Sequence, residues 1–324
     1  MESLLPFERI ERKIIVKKQA ETNWDFGKKP EERSVEELIN YGIVNLNKPK
    51  GPTSHQVSAY VQQVLGIPKS GHSGTLDPHV TGVLPIALGK ATRIVQTLLK
   101  AGKEYRGIMH LHTDVEEKEI KRVAEEFIGK IEQLPPIRSA VKRRLRTREV
   151  YYLEILEIEG RDVLFKVGSE AGFYVRKFVH DFGLKLNTHA HMSQLIRTKA
   201  GPFTDRTWKT LHDLKDAFTL WKENREETEI RKVILPIEAA IQHLSKIWVL
   251  DSTVKTLCQG ADLSIPGISR YNEFNENENI AVMTLKDELI CLGDSIESSE
   301  FIKKNEKGKI VKTKKVFMER SLYQ

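Results

Sequence analysis

Acid is nearly missing from one long stretch of this 324-residue chain: between Glu37 and Glu104 the only carboxylate is Asp77. Cysteine is scarce too. Cys258 and Cys291 stand alone, in no Cys-x-x-Cys or Cys/His spacing, which excludes a zinc ribbon and a disulfide framework. A reducing compartment suits such a chain, so a cytoplasmic location is expected. No uncharged apolar run approaches the ~18 residues of a membrane span, and the Met1 to Arg9 segment has no signal-peptide core. Glycine loops for nucleotides are absent as well. The Gly82 to Lys90 segment has the wrong spacing for a phosphate loop and lacks its hydroxyl, which sets aside a nucleotide-dependent enzyme or a methyltransferase.

What is present gathers around Asp77. The segment Gly71-His72-Ser73-Gly74-Thr75-Leu76-Asp77-Pro78-His79-Val80-Thr81-Gly82 holds three glycines and a proline, permitting a tight, partly left-handed backbone. The apolar run Val83 to Leu88 after it reads as a buried strand. An ordinary Asp-Pro forms an Asx turn, but a lone carboxylate on a rigid mount is a candidate nucleophile or general base. Neither a cofactor nor a metal is expected. His110 and His112, two apart on a strand, lack a third ligand nearby in sequence.

Charge points to a polyanionic partner. Lys and Arg number 52 against 45 Asp and Glu, a formal net charge of +7. Much of the excess lies in two blocks. Arg138 to Arg148 contains Arg138, Lys142, Arg143, Arg144, Arg146 and Arg148 with no acid, and Lys303 to Lys315, which includes Lys312, Lys314 and Lys315, has only Glu306. Such blocks favour phosphate contacts and salt-dependent binding.

The pattern divides the chain into an N-terminal arm (1–40), a larger unit (41–244) and a β-rich unit (245–324). Thr53 or Ser54 caps a helix with Val57, Tyr60, Val61, Val64 and Leu65 on one face. Further helices fall around 91–99, 120–128, 175–186 and 211–221, with strands around 105–113, 150–158, 163–168 and 193–199. The 223–244 stretch reads as a bridge. From Ser245 short β pieces punctuated by Gly260, Pro266 and Gly267 suggest a small barrel.

Three motifs then carry a resemblance. Lys48-Pro49-Lys50-Gly51-Pro52-Thr53-Ser54, the Asp77 loop and Gly89-Lys90-Ala91-Thr92-Arg93 together resemble the uridine-isomerising TruB and dyskerin family. That resemblance implies an α+β fold: a mixed, largely antiparallel sheet catalytic domain of the pseudouridine synthase type plus a small β-barrel PUA domain. It makes Asp77 the catalytic residue. Tyr105, in Lys103-Glu104-Tyr105, inherits the role of facing the flipped base, and Arg176, in Gly172-Phe173-Tyr174-Val175-Arg176, that of pairing with the aspartate. Phe173 replaces the family's usual threonine, and Asn187-Thr188-His189 stands where glycines are common. Lys48, His72 and Tyr174 are counted with the substrate- or RNA-facing residues, Lys48 as a brace rather than a reacting group and His72 as a wedge or a phosphate contact.

Within the family, the basic block and the PUA-like end resemble the guide-dependent subunit of H/ACA particles in its archaeal form. The implied partners are a guide RNA, a substrate RNA, a small zinc-ribbon protein, a Gar-type protein and a kink-turn-binding ribosomal-type protein, with rRNA or tRNA as target. The alternatives are a stand-alone tRNA enzyme and a catalytically silent RNA-binding scaffold. The trio Asp77, Tyr105 and Arg176 speaks against a scaffold, which has no need of it.

Overall fold

The computed structural model describes residues 3–135 and 144–323. In chain order the strands are β1 Ile14–Val16, β2 Gly42–Lys48, β3 Ser70–His72, β4 Thr81–Leu88, β5 Lys103–Leu111 and β6 Gly129–Gln133. They continue with β7 Arg146–Glu159, β8 Asp162–Ser169, β9 Ala190–Ala200, β10 Phe203–Thr204 and β11 Ile234–Pro236. The helices among them are α1 Val35–Tyr41, α2 Ser54–Leu65, α3 Val95–Lys100, α4 Glu117–Glu126, α5 Val175–Lys185, α6 Leu211–Asn224 and α7 Thr228–Val233.

These elements form one ten-stranded sheet whose main path runs β11-β2-β4-β9-β5-β8-β7-β6. Every pairing is antiparallel except β4 with β9, which meet in parallel at Thr81/Ile196 and Gly82/Arg197. Helices α4 and α5 bury Ile120, Val123, Phe178, Val179 and Phe182 against Val163, Phe165 and Val167 of β8. Helices α1, α2 and α6 bury Leu38, Val57, Val61 and Leu214 against β2 and β4. The fold is therefore α+β with a largely antiparallel sheet.

A second sheet of seven strands follows from Ser245 and encloses a separate core that includes Ile247, Val254, Ile280, Ile290 and Ile310. Its edge strand comes from the other end of the chain: β1 pairs with Ile268–Asn272. The arm is thus shared, since Val35 and Leu38 of α1 pack into the larger unit. The 223–244 stretch departs from the expected bridge. Its β11 pairs with β2 through Ile234/Val44 and so completes the first sheet.

Candidate active site

The Asp77 loop joins β3 to β4, and its backbone is held at alternate positions. Thr53 caps α2 by accepting from the Gln56 amide, which leaves Ser54 free for another task. Its Oγ accepts from the Leu76 amide at 2.8 Å and donates to the Leu76 carbonyl at 3.2 Å. Lys48 is fully buried, and its ammonium donates to the carbonyls of Pro49, Pro78 and Val80 at 2.9, 3.3 and 2.9 Å. Arg197, on β9, donates through Nε to Val83 O at 2.8 Å and through Nη2 to Gly74 O at 3.2 Å. Carbonyls before, within and after the loop are thereby fixed, and the Asp77 carboxylate is left half-exposed.

Helix α5 supplies the partner. Val175, Phe178, Val179 and Phe182 are its buried face, which turns Arg176 outward. Gln133, at the end of β6, accepts from the Tyr174 amide at 2.9 Å and donates to the Tyr174 carbonyl at 3.1 Å, fixing the turn into the helix. Phe173 is buried in the same core, its ring 5.8 Å from that of Phe178. From this mount Arg176 Nη2 donates to Asp77 Oδ2. An ion pair this exposed contributes about 0–1 kcal/mol to stability. Its consequence is directional: a guanidinium favours the ionised carboxylate and fixes where its oxygens point.

Tyr105 lies on β5 directly across from Arg197, and its phenol counters the lowering of the guanidinium's pKa by burial. The Asp77 loop, Arg197 and Tyr105 thus lie together. A base held here would meet a carboxylate, an aromatic ring and only neutral or cationic donors.

Comparison with known proteins gives the family. Residues 62–175 match the N-terminal domain of the TruB family pseudouridylate synthases, and residues 176–242 match the tRNA pseudouridylate synthase B C-terminal domain. The probable tRNA pseudouridine synthase B of Pyrococcus furiosus is 53% identical over 323 residues, covering 99% of this chain and 95% of that one. The chain belongs to the TruB/dyskerin family. It is an RNA pseudouridine synthase. Residues 245–317 match the PUA domain and 3–58 the DKCLD domain. Among solved structures, a chain of a Cbf5-Nop10-Gar1 complex superposes with a TM-score of 0.94 at 53% identity, covering 99% of this chain and 98% of that one. A chain of an H/ACA RNP bound to a substrate RNA containing 2'-deoxyuridine gives 0.93 at 50%, covering 99% of both.

In this synthase Lys48 is buried, with its ammonium on three loop carbonyls beneath the surface, the geometry of a brace. Burial, with His55 and Arg197 nearby, pushes the His72 imidazole down to about 4. The ring is held toward its neutral form, in which it can stack or hydrogen-bond. Its ring already meets that of His55 edge-on at 4.7 Å.

Of the first basic block, Arg138, Lys142 and Arg143 lie outside the described residues. Arg144 is exposed just before β7, whereas Arg146 and Arg148 are half-buried within that strand, Arg148 lying 3.8 Å from Glu170. The three C-terminal lysines differ in their local settings. Lys312 is exposed, Lys314 lies 3.4 Å from Asp294, and Lys315 turns to the Arg93 carbonyl. A cavity of about 980 Å³ between the two units, bordered by Lys69, Lys90, Arg93 and Arg320, lies alongside. His110 and His112 meet His189 and His191 across β5 and β9, with His112 Nε2 3.1 Å from His191 Nδ1. No group among the described residues is placed to hold a metal ion.

In the sequence Arg197 and Gln133 carry no role, and Ser54 stands as a motif residue and a possible helix cap, a place that Thr53 takes. Ser54 had a signal, two adjacent hydroxyls where a helix cap needs one. Arg197 had only the oddity of a cation inside a strand.

Proposed function

We propose that this synthase isomerises uridine as the catalytic subunit of an H/ACA-type guide RNA particle, with Asp77 as the catalytic carboxylate, Arg176 its orienting partner and Tyr105 facing the base. The observation that carries the site assignment is the Arg176 to Asp77 contact on a loop clamped by Lys48, Ser54 and Arg197. Isomerisation breaks the bond from N1 to C1' and makes one from C5 to C1', so a proton leaves C5 and one arrives at N1. No redox change or phosphate transfer is needed. The target uridine must leave its stack, at a cost of a few kcal/mol, to meet a carboxylate at the mouth of a fold.

The guided reading is supported by relatives at 50–53% identity that occur in a Cbf5-Nop10-Gar1 complex and in an H/ACA RNP with substrate RNA. By that likeness, the partners are a guide RNA, a small zinc-ribbon protein, a Gar-type protein and a kink-turn-binding protein. Arm, catalytic unit and PUA unit divide near residues 40 and 244. Guide RNA lies along the PUA unit over Lys312, Lys314 and Lys315, Arg144 and its basic neighbours in the chain approach the substrate, and Tyr174 and His72 border the base pocket. No described helix is long and apolar enough to cross a membrane, and both cysteines are free; we place the particle in the cytoplasm. Reconstitution with a defined substrate RNA, with and without its complementary guide, tests this. Guide-dependent pseudouridine at the paired site is expected; modification of free tRNA alone, indifferent to guide, favours the stand-alone enzyme.

A further inference from the structure

Arg197 is 1% exposed, one of the largest fully buried side chains among the described residues, yet no carboxylate pairs with it. Burying a cation costs several kcal/mol after relaxation, so its donors must be met. Here neutral oxygens meet two of them: Val83 O at Nε and Gly74 O at Nη2. Both carbonyls bracket the Asp77 loop, and Tyr105 stands directly opposite Arg197 on β5, on the side where the remaining donors need a partner. The backbone is opened to allow this. Gly82 has φ +110°, and a β-carbon there would lie 2.2 Å from the Arg197 carbonyl oxygen, so only glycine lets β4 approach β9 at this point.

We propose that Arg197 is a positioning residue that turns the Tyr105 hydroxyl hydrogen toward the bound base; this deepens, and rests on, the assignment of Tyr105 and Asp77 above. A guanidinium has five donors and no acceptor, so in the contact proposed here the phenol oxygen accepts from a guanidinium N–H. The phenol's own hydrogen is then directed away from the arginine, toward the open side of the site. A tyrosine so prepared can give its proton to N1 once the glycosidic bond is broken and recover one from C5, with no net change. While its oxygen is negative, the buried guanidinium stabilises it, and strongly, because water is excluded there. One cation thus sets both the loop carrying Asp77 and the proton of Tyr105.

The test is a double-mutant cycle in single-turnover isomerisation, using the full chain with guide and substrate RNA. Lysine keeps the charge but cannot present a planar fork to three acceptors. Arg197→Lys should slow chemistry at least about tenfold with substrate affinity within about twofold, whereas in a Tyr105→Phe background it should cost less than about threefold more. An equal loss in both backgrounds, or no loss in the first, overturns the proposal. Full activity of Tyr105→Phe alone overturns it through the other assumption, the role of Tyr105. A second readout does not depend on any arginine variant folding. Tyr105→Phe should speed exchange of the Arg197 guanidinium hydrogens, followed by NMR, about tenfold, and an unchanged rate refutes the bond.

Discussion

Arg176 donates through Nη2 to Asp77 Oδ2 although 99 positions separate them, and each side chain stands on an independently fixed mount. Asp77 is held by a loop whose carbonyls are clamped; Arg176 is held by a helix whose first turn is gripped by Gln133. The pair is exposed, so it adds little to folding. Its effect is on the direction and charge of the Asp77 carboxylate, the proposed site of chemistry.

Arg176→Lys should therefore damage catalysis far more than a like-charge exchange implies. A single ammonium cannot fix both the direction and the plane of a carboxylate. The expected result is a fall of about tenfold or more in single-turnover rate with unchanged RNA affinity and melting temperature. A rate within about twofold of wild type contradicts the pairing.

Lys48→Met removes the one donor shared by Pro49, Pro78 and Val80 carbonyls. Leaving buried acceptors unmet costs about 1–3 kcal/mol. Melting should drop by several degrees and the rate should fall with it, since Pro78 adjoins Asp77. A variant that melts with wild type but binds RNA more weakly would return Lys48 to the RNA-contacting residues.

Acid should weaken the fold through two histidines. His72 and His243 are both pushed down to about 4, chiefly by burial, from an ordinary value of 6.5. Between those values the unfolded chain binds protons that the folded one refuses, so stability falls as pH falls through that window and is fully present above 6.5. Each proton steepens the slope by about 1.4 kcal/mol per pH unit. Denaturant melts from pH 7 to 4 should show this, and His243→Gln should remove close to one proton from the slope.

Replacing Lys312, Lys314 and Lys315 with alanine should flatten the salt dependence of guide binding by fewer than three counterions. Lys314 already faces Asp294 and Lys315 the Arg93 carbonyl, which leaves Lys312 as the most open of the three. An unchanged slope, measured by titration at several salt concentrations, would mean that the guide runs elsewhere.

The parts of this site legible in the sequence were those that break a local pattern. Asp77 stands out because no other acid lies near it, and the helix of Arg176 because its apolar spacing is regular. Arg197 does not stand out. Its burial depends on Gly82 meeting it from a strand more than a hundred residues earlier, and no local periodicity reports a contact of that range. The same reason explains β11, whose pairing with β2 joins the two ends of the larger unit. Lys48 reads from its motif as a brace; only the three-dimensional placement of Pro78 and Val80 shows which carbonyls take its donors. The left-handed Asn187, φ 54°, falls where glycine is common, and asparagine tolerates that conformation, so the turn from α5 to β9 still closes.

The most direct measurement is single-turnover pseudouridine formation by Asp77→Asn in the guide-assembled particle, with substrate affinity read on the same samples. The exchange keeps volume and removes charge. Loss of at least about 10²-fold in rate, with RNA affinity little changed, is the predicted result for an essential carboxylate. Turnover within about tenfold of wild type would contradict the assignment of Asp77 and the site built around it.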